Sequence, residues 1–307
     1  MRKANIKNII EGSRPWSLSM FIATYLLGVF LGLDYFKEFN IYLFLLIVMG
    51  AIGELFLHMM TNIINDYYDY VKNIDKRNNI PIKRFHLVFH SNLNPEEIRN
   101  ISLALGFIAI IIGIFIALMG RPLALPLGFI GFIMGIEYSA PPLYFKYNGL
   151  GDFSVIISML LLSLAGFYVY TGKISIVGIL ISLPISILID DVLMANNIRD
   201  INRDRVSNVK TLPIILGYNK SKYLYISLLI LSYIILIFLI FLKIIPIYAF
   251  LELLTLPQAV NLISNVLKDN FELLDVKNAK LVLNFGILFM ISLIISIIVK
   301  INNIYYS

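Results

Sequence analysis

The sequence predicts an all-α, polytopic membrane protein with nine transmembrane helices. Three observations predict it. Of 307 residues, 59% are hydrophobic and only 14% charged, where a soluble domain carries roughly a quarter charged. Mean hydropathy is +0.84. A chain this apolar has no wetted surface to present on every side, so lipid must be its solvent. The apolar residues also fall into runs of the length that crosses a hydrocarbon core of about 30 Å, which is roughly 20 residues per helix.

The first run, 16–33, follows a basic, polar N-terminus from Met1 to Arg14. That segment lacks a signal-peptide cleavage pattern, so the run is expected to remain as a span. The second run, 41–64, leads directly into a polar, acidic segment. Runs at 101–119, 122–139, 153–171 and 174–196 supply the third to sixth spans. The seventh and eighth, 223–242 and 244–267, are separated by the break at Leu242–Pro246, which contains Lys243; the ninth is 281–299. Lone prolines at Pro126, Pro184 and Pro257 are expected to kink their spans, which membrane helices tolerate.

Orientation follows from the basic residues. With the N-terminus inside, the inward segments hold 20 of the 25 Lys and Arg, and the outward ones hold Lys37, Arg121, Lys173, Lys243 and Lys300. This bias predicts an odd number of spans with the N-terminus and the two long inward loops, 65–100 and 197–222, in the cytoplasm of a plasma-membrane protein. Those loops follow the second and sixth spans. They suggest a single domain over 1–307 made of two four-helix halves, about 10–150 and 151–270, plus the ninth helix. Zero cysteines exclude disulfides, thiolate metal sites and a cysteine nucleophile. The net charge of +6 does not indicate nucleic-acid binding, because the cations lie in short loops between apolar spans.

Two polar motifs carry the chemistry. In Asn62-Ile-Ile-Asn65-Asp66-Tyr-Tyr-Asp69-Tyr-Val-Lys-Asn73-Ile-Asp75, a continuing helix would put Asn62, Asp66, Asp69 and Asn73 on one face, with Asn65 one turn from Asp69. In Asn196-Asn197-Ile-Arg199-Asp200-Ile-Asn-Arg203-Asp204-Arg205, Asn196, Asp200 and Asp204 recur at i, i+4 and i+8. Each motif sits at the inner end of a span. Hard oxygen ligands of this kind suit Mg²⁺, which typically takes one or two carboxylates together with substrate phosphate oxygens. Two such clusters facing one another would hold Mg²⁺ around a diphosphate, with Arg199, Lys210, Lys146 and Arg77 neutralising the remaining charge. Either motif alone also reads as an ordinary polar loop; the matched pair does not.

A third stretch, Tyr138-Ser139-Ala-Pro141-Pro142-Leu-Tyr144-Phe-Lys146-Tyr147-Asn-Gly149, reads equally as a rigid turn or as a source of substrate contacts through Tyr138 and Lys146. Glu54 and His58 lie at membrane depth, one turn apart, with His58 one turn above Asn62. Ionisable groups there usually face a cavity or a partner, so the two either line an acceptor pocket or form a buried structural pair. Asp190 and Asp191, near the end of the sixth span, are left without a role.

Taken in order, Asn65-Asp66-x-x-Asp69, the YSAPPLYFK run and the NNIRDINRD run resemble the UbiA superfamily of intramembrane prenyltransferases, over essentially the whole chain. Within it, NDYYDYVKNID and NNIRDINRDR followed by Lys210-Thr211-Leu212 look most like the 1,4-dihydroxy-2-naphthoate polyprenyltransferases of menaquinone synthesis. Arg14-Pro15 entering the first span is similar too, as is the acid at Asp75 where the commoner pattern would have one at Asn73. The resemblance implies a UbiA-type bundle around a central cavity and Mg²⁺-dependent transfer of a prenyl group from a polyprenyl diphosphate to a small aromatic acceptor, with release of diphosphate. It implies Asn65, Asp66, Asp69, Asp75, Asp200 and Asp204 as metal ligands, the four aspartates of the two motifs being catalytic. Lys146, Arg199, Lys210, Arg77, Asn62 and Asn197 would bind diphosphate, and Arg14, Glu54, His58 and Tyr138 would line the acceptor pocket. The rival acceptor is a glycerol-phosphate ether lipid, receiving a geranylgeranyl group. A rival of another class, an ion-coupled transporter, would place its acids near the midplane rather than at one interface. Prenyl chain length and oligomeric state are not legible.

Overall fold

A computed structural model describes residues 6–76 and 85–305, with side chains described up to residue 302. Among the described residues the chain is helical apart from turns. After a short α1 (Ile6–Gly12) come α2 (Pro15–Phe36), α3 (Ile41–Val71), α4 (Leu87–His90), α5 (Pro95–Leu118), α6 (Ala124–Glu137) and α7 (Gly151–Thr171). The rest is α8 (Ile176–Leu180), α9 (Leu183–Arg199), α10 (Ile201–Val206), α11 (Leu212–Leu216), α12 (Tyr218–Phe241), α13 (Leu256–Leu267) and α14 (Leu274–Tyr305).

Eight helical segments are long and apolar enough to cross a membrane; the fourth expected span, 122–139, is the shorter α6. At 14 residues and 1.5 Å per residue, α6 extends about 21 Å, short of a full hydrocarbon core. The sixth span is broken between α8 and α9, where Pro184 opens the second piece and removes a backbone donor. The eighth begins as a 3₁₀ segment, Ile247–Thr255, before Pro257 starts α13.

Local chemistry sets the helix ends that matter. Asn94 accepts from the Glu97 N–H at 2.8 Å while Glu97 accepts from the Asn94 N–H at 2.8 Å, and Pro95 follows, so α5 starts on a reciprocal cap. Asn40 caps α3 by accepting from Leu43 N at 2.9 Å. Small residues let the helices approach: a Cβ on Gly28 of α2 would collide with the Ser163 carbonyl of α7, and one on Gly166 with the Tyr25 carbonyl. This close crossing is how membrane helices gain packing where lipid is as apolar as the side chains. The main core lies among α2, α7, α9, α12 and α14, with Tyr25, Tyr225, Phe285 and Phe289 fully buried.

Candidate active site

α3 runs past the expected span end and carries the first motif on its last turns. Asn65, Asp66 and Asp69 are all buried. The helix stops at Val71, so Asn73 is not on the shared face. It takes a left-handed turn (φ 57°), which asparagine tolerates. That turn lets the Ile74 and Asp75 N–H groups return to the Asp69 carbonyl, at 2.9 and 3.2 Å, and brings Asp75 back toward the motif. The second motif spans a helix break: α9 ends at Arg199 and Asp204 lies on α10. The i, i+4 bonds nevertheless persist, from Asp200 N to Asn196 O at 2.9 Å and from Asp204 N to Asp200 O at 3.0 Å.

The two motifs face one another across a cavity of about 590 Å³. Asn65, Asp69 and Asp75 line one wall; Asn196, Asn197, Asp200 and Asp204 line the other. Glu11, Arg14, Tyr138, Lys146, Arg199, Arg203, Thr211 and Asp275 add to the charged and polar lining. The loop after α6 sits between the walls. Its 3₁₀ turn, Phe145–Tyr147, is tied back by Lys146 N to Tyr138 O at 2.8 Å and across by Lys210 N to Tyr147 O at 3.1 Å.

The carboxylates are already charge-paired. Lys146 Nζ donates to both Asp69 oxygens at 2.7 Å and to Asn65 Oδ1 at 2.8 Å, and Tyr147 donates to Asp69 at 2.8 Å. Burial and the adjacent Asp69 carboxylate push the Tyr147 hydroxyl well above its ordinary range, so it stays a donor. On the facing wall, Arg199 donates to both Asp200 oxygens at 3.0 Å, to Asn196 at 2.7 Å and to Asp275 at 3.0 Å, and Arg203 donates to Asp200 at 2.9 Å. Burial raises Asp204 above the usual carboxylate range, opposed by the Arg203 and Lys146 cations.

Asp66 stands behind this wall. Fully buried, it accepts from Arg14 at 2.9 Å and from Leu87 N at 3.0 Å, with His86 Nδ1 4.0 Å away. The other His86 nitrogen is 3.5 Å from Asp75. The Lys210 side chain is exposed and does not line the cavity, and Arg77 lies outside the described residues. Among the described residues, no three His, Asp or Glu side chains converge as a ready-made metal cage. The donor set still fits Mg²⁺, which uses few protein carboxylates and completes its shell with water and phosphate. The Lys146 ammonium marks one place where a cation is held.

A second, largely apolar cavity of about 250 Å³ adjoins the first. Both are lined by Arg14, Trp16, Tyr138, Leu193 and Asn196. Glu54, His58 and Asn62 line the apolar one, so Asn62 belongs to this chamber and not to the acidic one. Asn62 Nδ2 lies 2.8 Å from Ser13 O and 3.0 Å from His58 Nε2, and Ser17 Oγ lies 2.8 Å from the same nitrogen. Beyond Glu54 a narrow cavity continues between α3, α5, α6 and α7, past Gly53, Gly113 and Gly128.

Residues 21–298 match the model of the UbiA prenyltransferase family. The chain belongs to the UbiA prenyltransferase family. It is a prenyltransferase of this fold. It is 31% identical over 207 residues to the 1,4-dihydroxy-2-naphthoate octaprenyltransferase of Bacillus subtilis, a match covering 67% of this chain and 65% of that protein, just under two thirds of its length. Two solved structures show the shared fold. A digeranylgeranylglyceryl phosphate synthase superposes with a TM-score of 0.65 at 20% identity, over 95% of this chain and 98% of that one. A UbiA homologue from Archaeoglobus fulgidus, bound to GPP and Mg²⁺, superposes with a TM-score of 0.62 at 17% identity, over 94% and 99%.

Reading the sequence for this family missed Tyr147, Arg203, His86 and Asp275 at the site. Tyr147 and Arg203 stand inside the quoted motifs beside residues that were singled out. A lone histidine in a loop and an acid in the first turn of α14 carry no signal of their own.

Proposed function

We propose that this enzyme transfers a prenyl group from a polyprenyl diphosphate to an aromatic acceptor of the 1,4-dihydroxy-2-naphthoate type, using Mg²⁺. The observation that carries the reading is the single chamber shared by the two acidic motifs, opening onto an apolar one. A diphosphate with its metal ions needs the first, and an isoprenoid chain needs the second. The Bacillus relative's acceptor supports the aromatic choice.

In this mechanism Asn65, Asp69, Asp75, Asp200 and Asp204 would hold Mg²⁺, which would supply Lewis-acid stabilisation to the diphosphate leaving group. Lys146, Arg199 and Arg203 turn toward the diphosphate oxygens, where negative charge grows as the C1–O bond breaks and its electron pair leaves with diphosphate. The allylic cation left behind is attacked by a ring carbon of the acceptor, which then loses its proton. Arg14 and Tyr138, lining both chambers, orient the acceptor at the junction, and Tyr138 offers an aromatic face to the cation, worth about 0.5–2 kcal/mol. Glu54 and His58 line the acceptor's chamber. The basic-residue bias supports a cytoplasmic location for the acidic end in the plasma membrane.

The test is incubation of purified protein with Mg²⁺, labelled geranylgeranyl diphosphate and a panel of acceptors, including dihydroxynaphthoate and a glycerol-phosphate ether lipid, with the product identified by mass. A prenylated dihydroxynaphthoate, or the prenylated naphthoquinol left after its carboxylate departs as CO₂, formed with release of diphosphate supports the proposal. Exclusive prenylation of the glycerol-phosphate ether moves the enzyme to the rival acceptor. Transport without diphosphate release overturns the enzymatic reading of the site.

A further inference from the structure

We infer that Lys146 is a resident cation at Asp69 of the first acidic motif, and that Mg²⁺ and the diphosphate enter only as an interdependent pair. The inference rests on the metal assignment proposed above and extends it.

The Lys146 ammonium sits 2.7 Å from each Asp69 oxygen and 2.8 Å from Asn65 Oδ1. An ammonium equidistant from both oxygens of one carboxylate occupies the approach that a metal bound to that carboxylate would use. Mg²⁺ needs oxygens at about 2.0–2.1 Å in near-octahedral array, so the ammonium and the ion cannot share the position. Asp69 is 1% exposed, and the Tyr147 hydroxyl already takes one flank of its carboxylate. The lysine is not placed there by a floppy loop. Its own N–H is bonded to Tyr138 O and the next carbonyl to Lys210 N.

The facing wall repeats the arrangement, with Arg199 and Arg203 occupying both Asp200 oxygens. A divalent ion arriving alone must therefore evict a half-buried cation and leave it beside a dication with no anion to turn to. A diphosphate arriving alone meets carboxylates. Arriving together, the metal takes the carboxylates and the anion takes the displaced Lys146. The flexible four-carbon stem of lysine suits such an exchange better than a planar guanidinium would.

The test measures Mn²⁺ binding by the loss of the free hexaaquo-Mn²⁺ EPR signal, on the whole detergent-purified chain. In the ligand-free state, wild type binds Mn²⁺ weakly and Lys146→Met tightens it by at least about tenfold, the worth of one charge-assisted hydrogen bond. Lys146→Arg, which keeps a cation in place, stays weak. Equal Mn²⁺ affinity in wild type and Lys146→Met overturns the inference. Should Lys146→Met fail to fold, wild type alone decides: adding a non-hydrolysable prenyl thiolodiphosphate must raise Mn²⁺ uptake beyond what the analogue binds in buffer, and no increase overturns the inference. Asp69→Asn in the Lys146→Met background separates the two layers. If it abolishes the tightened binding, the metal assignment holds whatever Lys146 does. If tight binding survives, the assignment of Asp69 itself fails, and the inference with it.

Discussion

The two aspartates of the first motif lie one helical turn apart, yet their surroundings predict opposite defects on losing the charge. Asp69→Asn keeps the side-chain volume and an oxygen for the Tyr147 hydroxyl. It gives up the charged partner of Lys146, which at 23% exposure can turn to water. One such charge-assisted contact is worth about 1.5–3 kcal/mol, and re-hydration of Lys146 recovers part of it. The protein should fold. Turnover should not survive, because removing one preorganised group from a developing charge costs about 2.7–4 kcal/mol, or about 10²–10³ in kcat/KM. Asp66→Asn acts elsewhere. Asp66 is fully buried and grips Arg14 and the first backbone N–H of α4, and breaking a buried pair costs about 3–5 kcal/mol. The lower end applies, because Arg14 keeps 22% of its side chain exposed. Diphosphate release under a Mg²⁺ titration, alongside melting followed by size-exclusion recovery, distinguishes the two. Asp69→Asn should melt near wild type with little activity. Asp66→Asn should melt early, with its remaining folded fraction keeping a near-normal Mg²⁺ requirement. Near-normal turnover in Asp69→Asn, or the same Mg²⁺ shift in both variants at unchanged stability, would refute the division of labour.

Three other outcomes follow from the geometry. Gly28→Val should abolish recovery of folded protein, since its Cβ meets the Ser163 backbone, while Gly128→Ala, with nothing within 4 Å of the new methyl, should be recovered normally; equal recoveries would undo the α2–α7 packing argument. His58→Ala should fold and lose turnover or acceptor affinity, because His58 lines the apolar chamber; unchanged kinetics end its assignment to the acceptor. The chain has no native cysteine, so single cysteines report sidedness directly. A cysteine at Lys243 should react with an impermeant maleimide on intact cells and one at Lys268 only after permeabilisation; the reverse pattern would invert the orientation.

The fold was legible wherever composition dictates it, because a backbone in lipid has to satisfy its polar groups within helices. The weak points were places where length or a proline intervened: α6 is too short for a full span, and the break before Pro184 divides the sixth. The acidic motifs were legible because carboxylates at the end of an apolar helix need a reason to be there. Which of them face the chamber was not. Helical spacing put Asp66 and Asp69 on neighbouring turns, but the Arg14 guanidinium just before α2 and the first backbone N–H of α4 turn Asp66 away from it. These partners lie 52 and 21 residues off in sequence, so no local pattern announces them. Asn73 fell off the predicted face because the helix ends first, and its left-handed turn is what returns Asp75 to the site.

The place of the chemistry follows from the two chambers more firmly than from any single residue. A polyprenyl diphosphate has a multiply charged head and a hydrocarbon tail, and each is tolerated in only one of the cavities, so the bond between them must lie where the cavities meet. Arg14, Trp16, Tyr138, Leu193 and Asn196 line both. The acceptor has to reach the same seam, because its ring carbon must lie within bonding range of C1 when the diphosphate departs. A seam bounded by one cation, two aromatic rings and an amide, with apolar walls behind it, favours a flat, partly polar acceptor over a second long lipid. That physical preference is independent of any relative, and the acceptor panel tests it directly.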